Sequence, residues 1–168
     1  MSFRYFRPLI GHPFKGVLFT AKFLAFAHLC LEYGYSTAPA AGPSMLPTFD
    51  ILGDWVLVSK RHRYGRDVSV GDLVAYSIPI NEDLGVKRVL GLPGDYVMID
   101  TPESGSEAMI QVPQGHCWIV GDNLTASRDS RLFGPVPLAL IRGKVIAKIK
   151  PFAEFKWIEN PLKRPDHQ

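Results

Sequence analysis

Three short stretches of this 168-residue chain gather residues that could do chemistry. The first is AGPSMLPTFD, residues 41–50, where Ser44 stands between a proline and a methionine with a second proline three residues on. A seryl hydroxyl is a weak nucleophile and attacks only when a neighbouring group takes its proton. Histidine is the usual acceptor, but His62, His116 and the other histidines carry no motif around them. A lysine can serve when burial among apolar groups brings its pKa down from about 10.4 toward neutrality.

Most lysines here stand in polar or basic surroundings: Lys60 precedes RHRYGR and Lys163 precedes Arg164. Lys87 differs, because in LGVKRVLGLPGD it has Val86, Val89 and Leu90 around it. Strand alternation puts Lys87 on one face with Val89, and Arg88 on the other with Val86 and Leu90. Two adjacent cations aimed at opposite faces suggest that at least one points inward or along a groove. The competing reading is a pair of surface charges on an edge strand, where lysine is common. The residues alone nominate Lys87 and leave both readings open.

The third stretch, GDNLTASRDSRLFGP (121–135), packs Asp122, Asn123, Ser127, Asp129, Ser130 and Arg131 closely after an apolar run. It is either a polar loop built on an Asx-type turn or a loop whose hydroxyl and carboxylate hold a neighbouring lysine strand in place. Asp129 and Arg131 are close enough for a local ion pair, which contributes little if it is exposed. Metal chemistry has no support, since no CxxC or Cys/His cluster is present. Cys30 and Cys117 give no sign of pairing.

These stretches need elements to position them. From residue 16 to 35 the chain reads GVLFTAKFLAFAHLCLEYGY, about the length of a helical bilayer span. Lys22 lies in its N-terminal third, from where its stem can reach toward the basic flank. Lys22 and His28 do not share one helical face, which argues against a surface-lying amphipathic helix. A membrane anchor is the leading reading. A cleaved signal peptide, with Ala38 and Ala40 in the small-residue pattern, and a buried core helix are the alternatives. The first acid in the chain is Glu32, a bias similar to that of mitochondrial import signals. The basic flank would then stay on the matrix side.

Beyond STAPAAGPS, which reads as a small-residue linker, short β-favouring runs alternate with Gly, Pro and Asp. They are DWVLVSK (54–60), DLVAYSI (72–78), GVKRVLGL (85–92), DYVMID (95–100), AMIQV (108–112), HCWIVG (116–121) and GKVIAKIK (143–150). Such spacing predicts a mainly β domain, with a short helix or turn over 135–143 and a polar loop over 101–108. The expected organisation is a basic segment 1–15, an anchor helix 16–35, a β domain 36–151 and a tail 152–168. The net charge is +3, but residues 1–15 carry three basic residues and no acid, and residues 142–168 carry seven against three acids. Basic ends around an acidic body fit an anionic membrane surface. No basic stripe interleaved with aromatics points to nucleic acid.

In order, GPSMLPT, GDLVAY, VKRVLGLPGD and GDNLTASRDSR, preceded by the anchor, resemble the signature of the type I signal peptidases, membrane-anchored Ser/Lys proteases. The resemblance runs from about Gly42 to Lys144. It is similar in detail to the mitochondrial inner membrane peptidases of the catalytic subunit 1 type: there is no large extra domain, the lysine is retained, and GDN and DSR are both present. The endoplasmic reticulum branch has histidine in place of the lysine.

The resemblance implies a signal-peptidase-like antiparallel β domain on a single transmembrane helix. It makes Ser44 the nucleophile and Lys87 the general base, with Ser127 aiming the lysine amine. Asp129 and Arg131 would be a supporting pair, and Met45 and Pro47 would shape the serine turn beside the substrate groove. The Gly94-Asp95 turn would close a hairpin after the lysine strand. Gly42 stands where some bacterial members carry a serine that helps stabilise the oxyanion, so the second oxyanion donor is unassigned. Also implied are precursor proteins bearing sorting presequences as substrates, a related peptidase subunit as heterodimer partner, and a catalytic domain in the intermembrane space. No metal or organic cofactor is called for, because one buried amine supplies the base. The rival readings are a bacterial-type signal peptidase, a self-cleaving repressor-type peptidase, a non-catalytic presequence-binding subunit and a membrane-anchored β scaffold.

Overall fold

The computed structural model of the chain describes residues 13–78, 83–101, 105 and 108–162. Two compact units result, Met1–Gly34 and Tyr35–Gln168. The first holds helix α1, Pro13–Tyr33, whose apolar part Phe14–Tyr33 has a mean hydropathy of 1.5 and no residue buried. It is long and apolar enough to cross a membrane. The helix starts and stops slightly earlier than the expected 16–35, and most of the basic segment 1–15 lies outside the described residues.

The second unit is one antiparallel sheet with a small ribbon. Its strands are β1 Tyr35–Ala40, β2 Asp54–Ser59, β3 Leu73–Ser77, β4 Leu84–Gly91, β5 Tyr96–Met98, β6 Met109–Gln111, β7 His116–Val120, β8 Val136–Pro137, β9 Ile141–Lys150 and β10 Lys156–Trp157. A single helical turn, α2 Ser130–Phe133, follows β7. The sheet runs β1-β2-β9-β3-β4-β7-β8, β10 also pairs with β9, and β5–β6 stand apart.

Apolar cores cover both faces. One gathers Val56, Val58, Leu73, Ala75 and Val145 around Met45 and Phe49. The other gathers Val74, Tyr76, Val89, Ile119 and Ile141. Strand β3 feeds both cores alternately, which explains why LVAY is apolar throughout rather than at every second residue.

Three expectations need correction. The linker STAPAAGPS begins with a strand: β1 pairs with β2 from Tyr35↔Ser59 to Ala40↔Asp54. It tolerates Pro39 because it is an edge strand, where a missing N–H need not break a ladder. Its small residues have a packing reason too, since Ala38 and Ala40 are buried in the first core. The Gly94-Asp95 turn does not close a hairpin with β4. It holds itself by Asp95 N–H to Leu92 O and Leu92 N–H to Asp95 Oδ2 and leads into β5, whose partner is β6. Finally, β4 is not an edge strand, since it lies between β3 and β7. The predicted turn over 135–143 becomes β8, a 3₁₀ turn Leu138–Leu140 and the start of β9. In the 101–108 loop, residues 102–104 and 106–107 lie outside the described residues.

Candidate active site

Ser44 occupies a single 3₁₀ turn, Pro43–Met45. The residue before it, Gly42, has φ 102° and ψ 161°, a backbone region that side chains disfavour and glycine enters freely. That conformation accounts for glycine at this place, and Gly42 N–H donates to Ile51 O at 2.8 Å. Met45 is 4% exposed and anchors the turn in the core, while Phe49 N–H donates to Met45 O. The half-buried Ser44 is thus raised on a turn whose underside is fixed by packing.

The loop after β7 clamps the same turn from the other side. Asn123 N–H donates to Ser44 O at 3.0 Å and Asn123 Nδ2 to Pro43 O at 3.1 Å. At Gly121 a Cβ would overlap the Ser44 carbonyl oxygen and Ser127 Oγ, so only glycine lets the loop lie this close to Ser44. Ser127 is buried; its Oγ makes no hydrogen bond of good geometry among the described residues, but it stands close enough to Asp129 to help hold that carboxylate's pKa down.

Asp129 is fully buried. It accepts from Gly121 N–H at 2.9 Å and from Arg131 Nε and Nη2 at 2.8 and 2.9 Å. Arg131 Nη2 also reaches Leu124 O. Burial pushes the Asp129 pKa up, but the Arg131 fork and the Gly121 amide outweigh it and hold the pKa below the ordinary carboxylate value. The expected Asp129–Arg131 pair is therefore a buried two-pronged clasp rather than an exposed contact.

Lys87 sits opposite Val74 across the β3–β4 ladder and is 5% exposed. Among the described residues its amine makes no hydrogen bond and no ion pair. Burial lowers its pKa, Asp129 and Asp122 act against that from a distance, and Arg131 adds to it. The lowering prevails, which favours the neutral amine that a base requires.

Ser44 and Lys87 both line one cavity of about 290 Å³, together with Gly42, Met45 and Tyr76. Ser127, Asp129 and Arg131 are not among its lining residues, although their neighbours Ala126 and Arg128 are. Pro47 lines a second groove, beside Arg88 and Trp157, and is not among the residues lining the cavity shared by Ser44 and Lys87.

One group escaped the sequence reading. Arg88, the neighbour of Lys87, grips Asp122 by Nε and Nη2, both at 2.8 Å, and donates to Gly71 O by Nη1. The Thr48 hydroxyl donates to the same carboxylate. The lysine strand, the 121–131 loop and the serine turn are thereby tied into one unit. A signal was present: Arg88 and Asp122 flank the two motifs, but their pairing needs the strand register, since they are 34 residues apart. Elsewhere, the carboxylates of Asp50, Asp54 and Glu154 are spaced like metal ligands, but the Lys148 ammonium stands among them.

The family "Signal peptidase, peptidase S26" matches residues 15–103 and 100–150. The chain is similar to the mitochondrial inner membrane protease subunit 1 of Schizosaccharomyces pombe, with 40% identity covering 89% of this chain and 94% of that one. It is also similar to the mitochondrial ATP-independent inner membrane protease subunit 1a of Arabidopsis thaliana, with 42% identity covering 88% and 90%. The mitochondrial inner membrane protease subunit 2 of S. pombe matches at 40% identity over 73% of this chain and 68% of its own length. With most of its length matched and its serine turn, lysine strand and clasped loop assembled around one cavity, the chain belongs to the signal peptidase family, peptidase S26.

Proposed function

We propose that this chain, a serine peptidase of the mitochondrial inner membrane by its family and relatives, cuts sorting presequences with Ser44 as nucleophile and Lys87 as general base. The observation that carries the assignment is the cavity that both residues line, with the lysine buried and, among the described residues, without an ion-pair partner. Ser44 Oγ attacks the scissile carbonyl carbon while neutral Lys87 Nζ takes its proton. The resulting ammonium gives that proton to the departing amine nitrogen as the C–N bond breaks, leaving an ester on Ser44. Water, deprotonated by the same amine, then attacks the ester carbonyl; the ester C–O bond breaks, the ammonium returns the proton to Ser44 Oγ, and the new carboxyl terminus leaves. Ser44 N–H is one donor to the transient oxyanion.

The remaining assignments belong to the same reading. Ser127 orients the amine: its hydroxyl is buried, makes no hydrogen bond of good geometry among the described residues, and lies beside Asp129. Asp129 and Arg131 hold the loop that carries Ser127. Helix α1 anchors the chain, and the β unit works in the intermembrane space, where presequences emerge. The likeness to both subunit 1 and subunit 2 proteins supports a heteromeric peptidase, and a heterodimer with a related subunit is its simplest form.

The test is cleavage of a precursor carrying a sorting presequence by the purified full chain in detergent. Ser44→Ala and Lys87→Met should each lower turnover by about 10³-fold or more with unchanged circular dichroism. Retained activity in Lys87→Met removes the lysine from the mechanism and favours a non-dyad peptidase.

A further inference from the structure

Strand β2 ends at Ser59, and the chain then turns through KRHRYGR, residues 60–66. Lys60, Arg61, Arg63 and Arg66 fall within these seven residues, and the first acid after them is Asp67. The mechanism uses none of them. Arg61, Tyr64 and Arg66 are exposed. The loop is nevertheless held in shape: His62 Nδ1 donates to Arg66 O at 3.0 Å and Arg66 Nε to Arg63 O at 3.4 Å. Tyr64 takes a left-handed conformation with φ 60°, which aromatic residues disfavour, and Gly65 packs against the Leu138 side chain.

The strand register decides what lies near this loop. In the β1–β2 ladder Tyr35 stands opposite Ser59, so the loop begins where the chain enters the β unit. Tyr35 follows the last residue of α1, Tyr33, by two positions. Two residues span at most about 7 Å and paired strands lie about 5 Å apart. Chain connection alone therefore keeps Lys60 within about 16 Å of the end of α1. Where that helix crosses a bilayer, headgroups extend about 5–7 Å beyond the hydrocarbon, and long basic side chains reach toward them. Each cation near an anionic surface is worth about a fivefold gain in binding. Tyrosine suits the same layer, and Tyr33, Tyr35 and Tyr64 are 66%, 56% and 57% exposed.

We infer that the 60–66 loop binds the phosphates of anionic phospholipids in the leaflet where α1 emerges, with Arg61 and Arg66 as the contacting groups and Tyr64 among the headgroups. The inference rests on the reading of α1 as a membrane anchor. It adds to that anchor a second, electrostatic attachment on the β unit itself.

The reaction of arginine side chains with phenylglyoxal, located by peptide mass spectrometry, reads the contact directly. The full chain is placed in nanodiscs of phosphatidylcholine alone or with one-third phosphatidylglycerol. Arg61 and Arg66 should react about tenfold more slowly in the anionic discs, and 0.5 M salt should bring the rates to within about twofold. Arg142, exposed on β9, should react equally in both. In Arg66→Gln the slowing at Arg61 should fall to about twofold. Equal rates for Arg61 and Arg66 in the two discs overturn the inference, as does a slowing of Arg142 to the same extent. Glycerol phosphate that reproduces the slowing in neutral discs overturns it too, because the site would then be one for small anions. A chain that stays with neither disc on size exclusion overturns the anchor reading, and this inference with it.

Discussion

Lys87 and Lys148 are both lysines on interior strands of one sheet, separated by β3, and their surroundings are opposite. Around Lys148 stand Asp54 at 2.9 Å, Glu154 at 2.8 Å and Asp50 at 3.7 Å. Hydrogen bonds to Glu154 and Asp54 raise its pKa well above the ordinary lysine value. Around Lys87 the nearby acids are already engaged. Asp129 is clasped by Arg131 and Asp122 by Arg88, so neither carboxylate contacts the lysine, and burial pulls its pKa down. A buried lysine is a permanent cation or a base according to whether its acidic neighbours are free to bond it. In this fold two arginines withdraw those neighbours from Lys87.

The comparison breaks most sharply in a matched pair of substitutions. The loss of activity in Lys87→Met should have no counterpart in Lys148→Met, which should still cleave the same precursor at close to the native rate. Lys148→Met should instead lose stability, because it leaves the buried Asp54 carboxylate without its counter-charge. Stranding one partner of a buried pair costs about 3 kcal/mol. Urea unfolding in detergent measures this, and Lys148→Met with native stability would show that its ring of acids contributes nothing to the fold.

Arginine withdrawal makes a smaller, signed prediction. In the proposed mechanism the Lys87 amine acts when neutral, so kcat/KM should rise with pH along a one-proton limb whose midpoint lies below the lysine value of 10.5. In the folded chain this pKa is depressed. Its linked contribution to stability is therefore complete above 10.5 and is lost as pH falls through the folded value. For Lys148 the folded pKa is raised, so its contribution is complete below 10.5 and survives throughout the assay range. Arg88→Gln frees Asp122, which already pulls the Lys87 pKa upward. The limb should shift about one unit to higher pH, with activity on it down about tenfold. A limb that stays in place would mean that Arg88 only holds strands together.

The elements that carry this contrast were legible to different degrees. The strands around Lys87 are, because Val and Ile runs between Gly and Pro have few other ways to fold. Strand β1 is hidden by small residues and Pro39, and is a strand because its small side chains fit over Met45 and Phe49. The serine, the lysine and the clasped loop each show as local motifs. What joins them does not: Arg88–Asp122, Asn123 on the serine turn and Tyr76 over Gly85 are pairings that exist only after the register is set. Lys148 looks in the sequence like any lysine of an alternating strand, since its three acids come from residues 50, 54 and 154.

A third inward lysine tests whether the contrast extends along β9. Lys144 bonds the buried Asp72 at 2.8 Å, and Asp72 also accepts from Ser69 N–H and from Asn160 Nδ2. Burial alone would raise the Asp72 pKa, but Lys144, Ser69 and Asn160 together hold it below the ordinary value. Asn160 belongs to the C-terminal tail and donates to Val70 O as well, so the tail pins the turn leading into β3. Because Lys144 and the Ser69 amide remain on Asp72, Asn160→Ala removes one hydrogen bond to that carboxylate and one to the Val70 carbonyl without stranding a charge. The cost should be about 1 kcal/mol, with cleavage close to native and the pH limb unmoved, because Asp72 is not among the groups that set the Lys87 pKa. A shifted limb would show that the tail reaches the base through β3, and that Lys87 owes its neutrality to more than its own two arginine-held acids.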